Sequence, residues 1–247
     1  MRSSNPILRE AIFAQEGVLA EMPMTINGTL NKLFLLSSVF VLSASIIWYN
    51  VSLGHTDIVA ILLPISIFVG FILALIISFT PKTAPFLTPF YAMAQGVALS
   101  AISCYVENMY QGIVVQAISV TFFVLFVMLF CYKSKMIRNT PTFNKVILIG
   151  TVSISLFYLI SFLLSLLFKV NIPYFNNSSD IGSIIINIVI ACLAALNLII
   201  DFDFIERGST ALFPKYFEWY GAFGLLVTIF WLYIEILRVL IRARRRN

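Results

Sequence analysis

Charged residues are scarce in this chain, and they are unevenly distributed. Only 11% of the 247 residues are Asp, Glu, Lys or Arg. About a quarter of a soluble domain is charged, so the composition excludes a soluble globular protein. Several uncharged intervals are each long enough for the roughly 20 residues with which a helix crosses a bilayer. These intervals are 58–81, 83–106, 108–132, 146–168 and 181–200. They indicate a protein that crosses a membrane several times.

Strand-like alternation of polar and apolar residues is also missing, which disfavours a β-barrel. In lipid the backbone amides of a spanning segment must pair within that segment, as they do in a helix. The sequence therefore predicts an all-α polytopic membrane protein with seven transmembrane helices. The predicted spans lie near residues 33–50, 58–79, 88–106, 112–132, 146–168, 181–201 and 219–241. By domain, we predict a cytoplasmic amphipathic N-terminal segment at 1–30, the seven-helix domain at 31–241 and a basic tail at 242–247.

Three prolines within nine residues separate the second predicted span from the third. Proline fixes φ and has no backbone N–H to donate. Pro81, Pro85 and Pro89 therefore predict a stiff bend rather than a helix.

Histidine and cysteine are rare, which bears on catalysis and metal binding. The only histidine, His55, lies in a short predicted loop, and nucleophilic or metal catalysis usually requires histidine. Cys104, Cys131 and Cys192 lie in or at the ends of spans without CxxC spacing, which is typical of packing residues. An intramembrane aspartyl protease would need a Gly-x-Gly-Asp motif, which the chain lacks. The sequence predicts neither an enzyme nor a resident metal or cofactor.

Basic residues are concentrated on one side of the predicted bundle. The N-terminal segment and the loops after spans two, four and six hold ten Lys and Arg residues, whereas the opposite loops hold only Lys169. By the positive-inside rule the N-terminus is cytoplasmic. Anionic lipid explains the basic loop at 132–145 without a nucleic-acid partner. Seven full crossings place the five arginines at 238–246 outside, and a re-entrant last segment is the alternative.

Polar residues on the sixth span point in two directions. At 100° per residue, Asn187, Asn197 and Asp201 share one face of a helix. Asp203 points nearly the other way and lies four residues before Arg207, which predicts a surface ion pair. Asp201 is therefore the carboxylate directed along the polar stripe.

The seventh span carries a matching stripe that includes Gly224, Thr228 and Glu235, and Glu107 ends a similar stripe on the third span. Small residues at four-residue spacing allow close helix packing, which is their simplest role. A carboxylate within a span normally faces the bundle interior or a wet cavity, because a charge costs about 2.5–3.5 kcal/mol at the bilayer centre. For Glu235 the alternative is an ion pair with Arg238 and an extended position toward the nearer surface.

These acids predict an ion gate. Two carboxylates side by side in a low-dielectric interior cannot both ionise at low cost, so the pair would hold one proton and titrate as a unit. Without that proton, the pair repels itself and offers hard oxygens to a cation such as Ca²⁺, which would be a transported or loosely bound ion. The gate residues are Asp201 and Glu235, with supporting polar residues Asn187, Asn197, Asp203, Glu107 and Thr228.

Two motifs lie near the end of the chain, namely Asp201-Phe-Asp-Phe-Ile205 after the sixth span and Leu232-Tyr-Ile-Glu235 in the seventh. With these motifs, the segment PKYFEWYGAFGLLVTIFWLYIEILRVL and the opening RSSNPILRE, the sequence resembles the Bax inhibitor-1/YccA-like, or transmembrane Bax inhibitor motif, proteins. The resemblance is to their divergent bacterial branch and covers nearly the whole chain. It implies a multi-pass protein of the bacterial plasma (inner) membrane.

The resemblance also implies a bundle whose last helix is central, surrounded by the other six. It further implies an acid pair on the last two helices that gates a pH-sensitive calcium leak, at the positions of Asp201 and Glu235. The chain departs from the family pattern in three ways: Glu is the second acid, Asp-Phe-Asp replaces Asp-Thr-Gln, and the link between the acids is longer. The longer link places Glu235 deeper along its helix than Asp201, unless residues 209–218 lie along the membrane surface.

Two functional hypotheses follow. The first is a pH-sensitive leak channel for calcium, or for another cation coupled to protons, across the lipid bilayer. The second is a non-conducting membrane regulatory protein that binds another membrane protein complex, which the basic tail, the amphipathic N-terminus and family analogy favour. Ion flux distinguishes the two.

Overall fold

The structure is a computed structural model that describes residues 23–168 and 181–246, without the side chains of residues 162 and 166–168. Most of the predicted amphipathic segment (residues 1–22) and Lys169 lie outside the described residues. Within them, seven helices are long and apolar enough to cross a membrane. They are α1 (Ile26–Ser52), α2 (Thr56–Phe79), α3 (Ala84–Met109), α4 (Ile113–Lys133), α5 (Pro141–Phe168), α6 (Ile181–Thr210) and α7 (Phe217–Arg246). Each predicted span falls on one helix, with residue 112 alone outside, and the helices extend up to nine residues beyond the predicted spans. This correspondence confirms the all-α polytopic bundle. The last helix continues through the predicted basic tail to Arg246.

Local chemistry sets several of the helix ends. Thr25 precedes α1, and its hydroxyl oxygen accepts the backbone N–H of Gly28 at 2.9 Å, which satisfies one of the otherwise unpaired amides of the first turn. Gly54 and Gly112 stand in the turns before α2 and α4 with φ of 83° and 80°. Glycine adopts this left-handed conformation without steric strain, so short turns suffice there.

The proline-rich connection between α2 and α3 is more helical than predicted. Pro81 begins a 3₁₀ turn (Pro81–Thr83), whereas Pro85 and Pro89 lie within α3, so the predicted bend is wrong for these two residues. Pro85 is in the first turn of α3, where a backbone N–H has no helical partner in any case. Pro89 removes one helical hydrogen bond, and the buried side chains of Thr88 and Tyr91 on either side hold this part of α3 in the bundle.

Helix α7 occupies the centre of the bundle. It packs against α1, α3, α4 and α6. Residues 217–242 are all buried or half-buried, so no face of α7 lies fully open to lipid along that length. By contrast, α5 carries exposed apolar side chains such as Leu148 and Ile149, as expected for a helix that faces lipid. The predicted central position of the last helix agrees with this packing.

The start of α7 is tied to the start of α1, at the end of the bundle that we call the N-side. The buried carboxylate of Glu218 accepts hydrogen bonds from the Thr25 backbone N–H (3.1 Å) and hydroxyl (3.0 Å) and pairs with Lys215 at 2.9 Å. It lies against Gly28, where a Cβ would come within 1.9 Å of the Glu218 Oε1 atom. These contacts fix the position of α7 along its axis relative to α1.

Candidate functional site

Asp201 lies at a close contact between α6 and α7. Its carboxylate accepts a hydrogen bond from the Thr228 hydroxyl. Its Oδ1 atom is 3.7 Å from the point where a Cβ on Gly224 would lie, so α7 presents glycine where this carboxylate packs. The second oxygen, Oδ2, is buried without a hydrogen-bond partner among the described residues. No Lys or Arg of the described residues forms a salt bridge with Asp201.

Glu235 lies in a different environment. Its side chain is 1% exposed and forms an ion pair with Arg238 at 3.0 Å. The Tyr158 hydroxyl and the Trp231 indole N–H also donate to Glu235, at 2.8 and 3.2 Å. Arg238 donates to the Tyr158 hydroxyl oxygen at 2.6 Å and stacks over that ring. The ion pair with Arg238, considered as an alternative from the sequence, is therefore present, although it is built into the bundle rather than extended to the surface.

The structure does not bring Asp201 and Glu235 together, so the predicted direct carboxylate pair is wrong. Asp201 lies nine residues before the end of α6 at Thr210, whereas Glu235 lies eighteen residues after the start of α7 at Phe217. Because the two helices run in opposite directions from a short connection, Glu235 is about 13 Å deeper from the N-side. The two acids are apart because Glu235 lies deeper in the bundle than Asp201, as the long link between them in the sequence indicated.

The supporting polar residues have separate roles. Asn197 turns toward α5, where it donates to Thr151 at 2.9 Å, and does not join Asp201. Asp203 pairs with Arg207 at 2.6 Å, as predicted, and also accepts from Asn139 at 2.8 Å.

Neither Glu107 nor Asn187 forms a hydrogen bond with Asp201 or Glu235 among the described residues. The Glu107 carboxylate accepts the backbone N–H groups of Gly112 and Val114 at 2.6 and 3.0 Å, which caps the start of α4. Asn187 is buried on α6, and its side-chain nitrogen has no partner among the described residues. Thr228 is thus the supporting residue that contacts a gate acid.

Sequence reasoning missed three residues of this interior. Glu218 was not singled out, although an acid just inside the start of an apolar helix is a signal for a cap or an interhelical bond. Tyr158 lies in an apolar run of α5 and gives no polar signal. Arg242 was assigned to a basic tail, yet it is buried and donates to the Ser183 carbonyl at 3.0 Å.

Three acids therefore mark successive levels along α7: Glu218 at the N-side, Asp201 next, and Glu235 deepest. Each has one buried carboxylate oxygen without a hydrogen-bond partner among the described residues. Glu218 and Glu235 have basic partners, whereas Asp201 has only a hydroxyl donor. No group of three or more His, Cys, Asp or Glu residues in this part of the chain is arranged to hold a metal. Among the described residues, Asp201 is therefore the acid of the three that lacks a basic partner.

The comparisons with known proteins agree with the helical bundle. A family model described as Bax inhibitor 1 like matches residues 5–245, nearly the whole chain. No curated protein and no solved structure matches the chain. The family model therefore carries the assignment by itself, and the matched residues include Glu218, Asp201 and Glu235.

Proposed function

The chain belongs to the Bax inhibitor 1 like family, and on that premise we propose that it is a pH-responsive leak pathway for cations, with Asp201 as the gating group. The observation that carries the proposal is the position of this half-buried carboxylate between α6 and α7, with one oxygen fully buried. Among the described residues it has a single hydroxyl donor and no cationic partner. Calcium or a proton-coupled cation is the proposed cargo. The proposal requires no catalytic step and no resident cofactor.

The proposed gate works through the charge of one side chain. A protonated Asp201 is neutral and remains in the α6–α7 contact at little cost. A deprotonated Asp201 carries a charge to which, within the described part of the chain, Thr228 alone donates. A buried charge without a cationic partner is expensive. Water or a cation can supply the missing partner, which requires α6 to move away from Gly224. Hard carboxylate oxygens suit Ca²⁺ in that role.

Glu235 takes a different part in this proposal. Its charge is balanced by Arg238, and two further side chains donate to the same oxygen. It is therefore a fixed element of the pathway wall at a deeper level, with a free oxygen, Oε2, that an ion can meet after Asp201. The two acids act in sequence rather than as one pair.

We place the N-side in the cytoplasm and the protein in the inner membrane of a bacterium. Lys82, Lys133, Lys135 and Arg138 lie in or beside the N-side connections, and the positive-inside rule favours the cytoplasm for such residues. In this orientation the basic end of α7 faces the opposite compartment. Asp201 is closer to the cytoplasmic surface, so the cytoplasmic pH controls it.

The test is calcium flux into liposomes that contain the purified full-length protein, measured with an enclosed dye over a pH series. We expect the wild-type flux to depend on pH and Asp201→Asn to abolish that dependence. Asp203→Asn is the matched control, because it removes an acid two residues away that is already paired with Arg207, and it should keep the wild-type pH profile.

Two results would count against the proposal. A wild-type flux no higher than that of protein-free liposomes would favour the non-conducting regulatory protein. A flux whose pH profile is unchanged in Asp201→Asn would leave a leak but remove Asp201 as its gate.

A further inference from the structure

A cavity of about 710 Å³ lies at the N-side, apart from the line of acids along α7. Apolar residues of α1 and α4 form its two walls, and residues of α6 and α7 form its floor. Its apolar lining includes Leu30, Leu33, Leu125, Phe126, Leu129 and Leu225. Its volume is within the range of about 300–1,000 Å³ that small-molecule sites occupy.

The walls of this cavity open toward the lipid. Leu30 on α1 and Phe126 on α4 are 49% and 64% exposed, although both line the cavity. Both helices carry further exposed apolar side chains, such as Phe34 and Phe123, as membrane-facing helices do. An acyl chain can therefore enter from the side, between α1 and α4, without leaving the apolar phase.

The N-side end of the cavity is basic. Lys133, Lys135 and Arg138 line it and are exposed, and none of them forms a salt bridge within the described part of the chain. Lys135 has a φ of 59°, a left-handed conformation that is uncommon outside glycine. This turn after α4 brings all three cations to one cavity.

Two acids also line the cavity, and both already have partners. Asp203 is paired with Arg207 and accepts from Asn139. Glu206 accepts a hydrogen bond from the Tyr132 hydroxyl. With Arg207 included, four basic and two acidic residues lie at this end of the cavity. The local net charge is therefore positive, which favours an anionic group at the entrance to the apolar groove.

We propose that this groove binds one anionic phospholipid, with an acyl chain between α1 and α4 and the headgroup phosphate at Lys133, Lys135 and Arg138. Charge complementarity and the lateral opening select a lipid over a soluble anion, because only an amphiphile fills both parts. Basic residues at the end of a membrane helix commonly recognise anionic headgroups in this way. The site is independent of the proposed leak, since none of its basic residues contacts Asp201 or Glu235.

The first test is native mass spectrometry of the full-length protein with phosphatidylglycerol or phosphatidylcholine. We expect the wild-type protein to retain one phosphatidylglycerol molecule. The Lys133→Gln/Lys135→Gln double variant should bind this lipid about tenfold more weakly. Lys82→Gln/Lys145→Gln is the matched control, because it removes the same charge from N-side residues that do not line the cavity, and it should bind within about twofold of wild type. Equal loss in the control, or equal retention of phosphatidylcholine, overturns the proposal.

A second test locates the acyl chain in the full-length protein. Leu129→Trp fills the groove and should weaken binding of phosphatidylglycerol although every charge is kept. A photo-crosslinking residue in place of Phe126, in nanodiscs that contain phosphatidylglycerol, should yield a lipid adduct. An adduct with a peptide from residues 1–22 instead would mean that the chain covers its own groove, which refutes lipid binding there. Binding of phosphatidylglycerol to Leu129→Trp as tight as to wild type would also refute lipid binding in this groove.

Discussion

Replacing Arg238 by glutamine should destabilise the bundle more than replacing Glu235 by glutamine, although either change removes the same ion pair. The reason is the unequal burial of the partners: the side chain of Glu235 is 1% exposed and that of Arg238 is 40% exposed. Without Arg238, a carboxylate remains in the interior. Without Glu235, the guanidinium keeps its bond to Tyr158 and can reach the surface.

The structure sets the scale of the two effects. At the observed 3.0 Å the direct attraction is about 5 kcal/mol for an effective dielectric of about 20, before the cost of removing both groups from water. Removal of one partner of a buried pair typically costs about 3–5 kcal/mol. We expect Arg238→Gln to lie near the lower end, about 3 kcal/mol, because Tyr158 and Trp231 still donate to Glu235. Glu235→Gln should cost about 1 kcal/mol, the value of a neutral hydrogen bond.

The assay is equilibrium unfolding of the purified protein in mixed micelles, with wild type, both single variants and the double variant. The double variant should be close to Glu235→Gln alone, which gives a coupling free energy of about 3 kcal/mol between the two sites. Additive effects would show that the pair contributes nothing as a pair. A Glu235→Gln variant less stable than Arg238→Gln would refute the argument from unequal burial.

Two further predictions concern the fold and its orientation. Gly96→Ala should cost about 1–3 kcal/mol of stability in the same unfolding assay, because the new Cβ would lie 2.6 Å from the Phe40 carbonyl oxygen and must move toward the 3.4 Å of ordinary contact. Gly70→Ala is its control, since that Cβ meets only the flexible end of Gln95 at 3.1 Å, and equal stability of the two variants would contradict close packing of α1 on α3. Asn247→Cys, with Cys131 and Cys192 changed to serine, should react with an impermeant thiol reagent applied to intact cells. Reaction only after permeabilisation would place the end of α7 in the cytoplasm and contradict the proposed orientation.

The helices were predictable from the sequence, whereas the contacts between them were only partly so. Uncharged intervals predict spans because the lipid environment forces the backbone to pair within each segment. Helical periodicity also identified Asp201 and Thr228 as inward-facing, since each face depends on local geometry alone. Periodicity does not show which neighbouring helix each face contacts. Asn197 lies on the predicted stripe with Asp201 but donates to Thr151 on α5.

The depth at which two helices meet is the part that the sequence left open. It depends on the ends of the helices, and here Glu218 holds α7 to Thr25 at the N-side. The contact between Tyr158 and Glu235 was also not predictable, because a tyrosine in an apolar run gives no sign of its hydrogen-bond partner. Pro89 shows how packing overrides a local preference, because it lies inside α3 between two buried side chains.

Asp201 and Glu235 differ in whether a basic residue balances their charge. Glu235 is paired with Arg238, whereas Asp201 has only the Thr228 hydroxyl as a donor among the described residues. In the proposed leak, a proton or cation that neutralises Glu235 would leave Arg238 without its counter-ion, so every such step would disturb a pair that stabilises the bundle. Neutralising Asp201 disturbs no ion pair and costs at most a rearrangement of the Thr228 hydroxyl. In the proposed gate, Asp201 is therefore the acid whose charge can change repeatedly without breaking an ion pair, which a reversible gate requires. The same reasoning predicts that an added cation at this level would remove the gate: Thr228→Lys should hold Asp201 ionised and make any flux independent of pH, and a pH-dependent flux in that variant would contradict it.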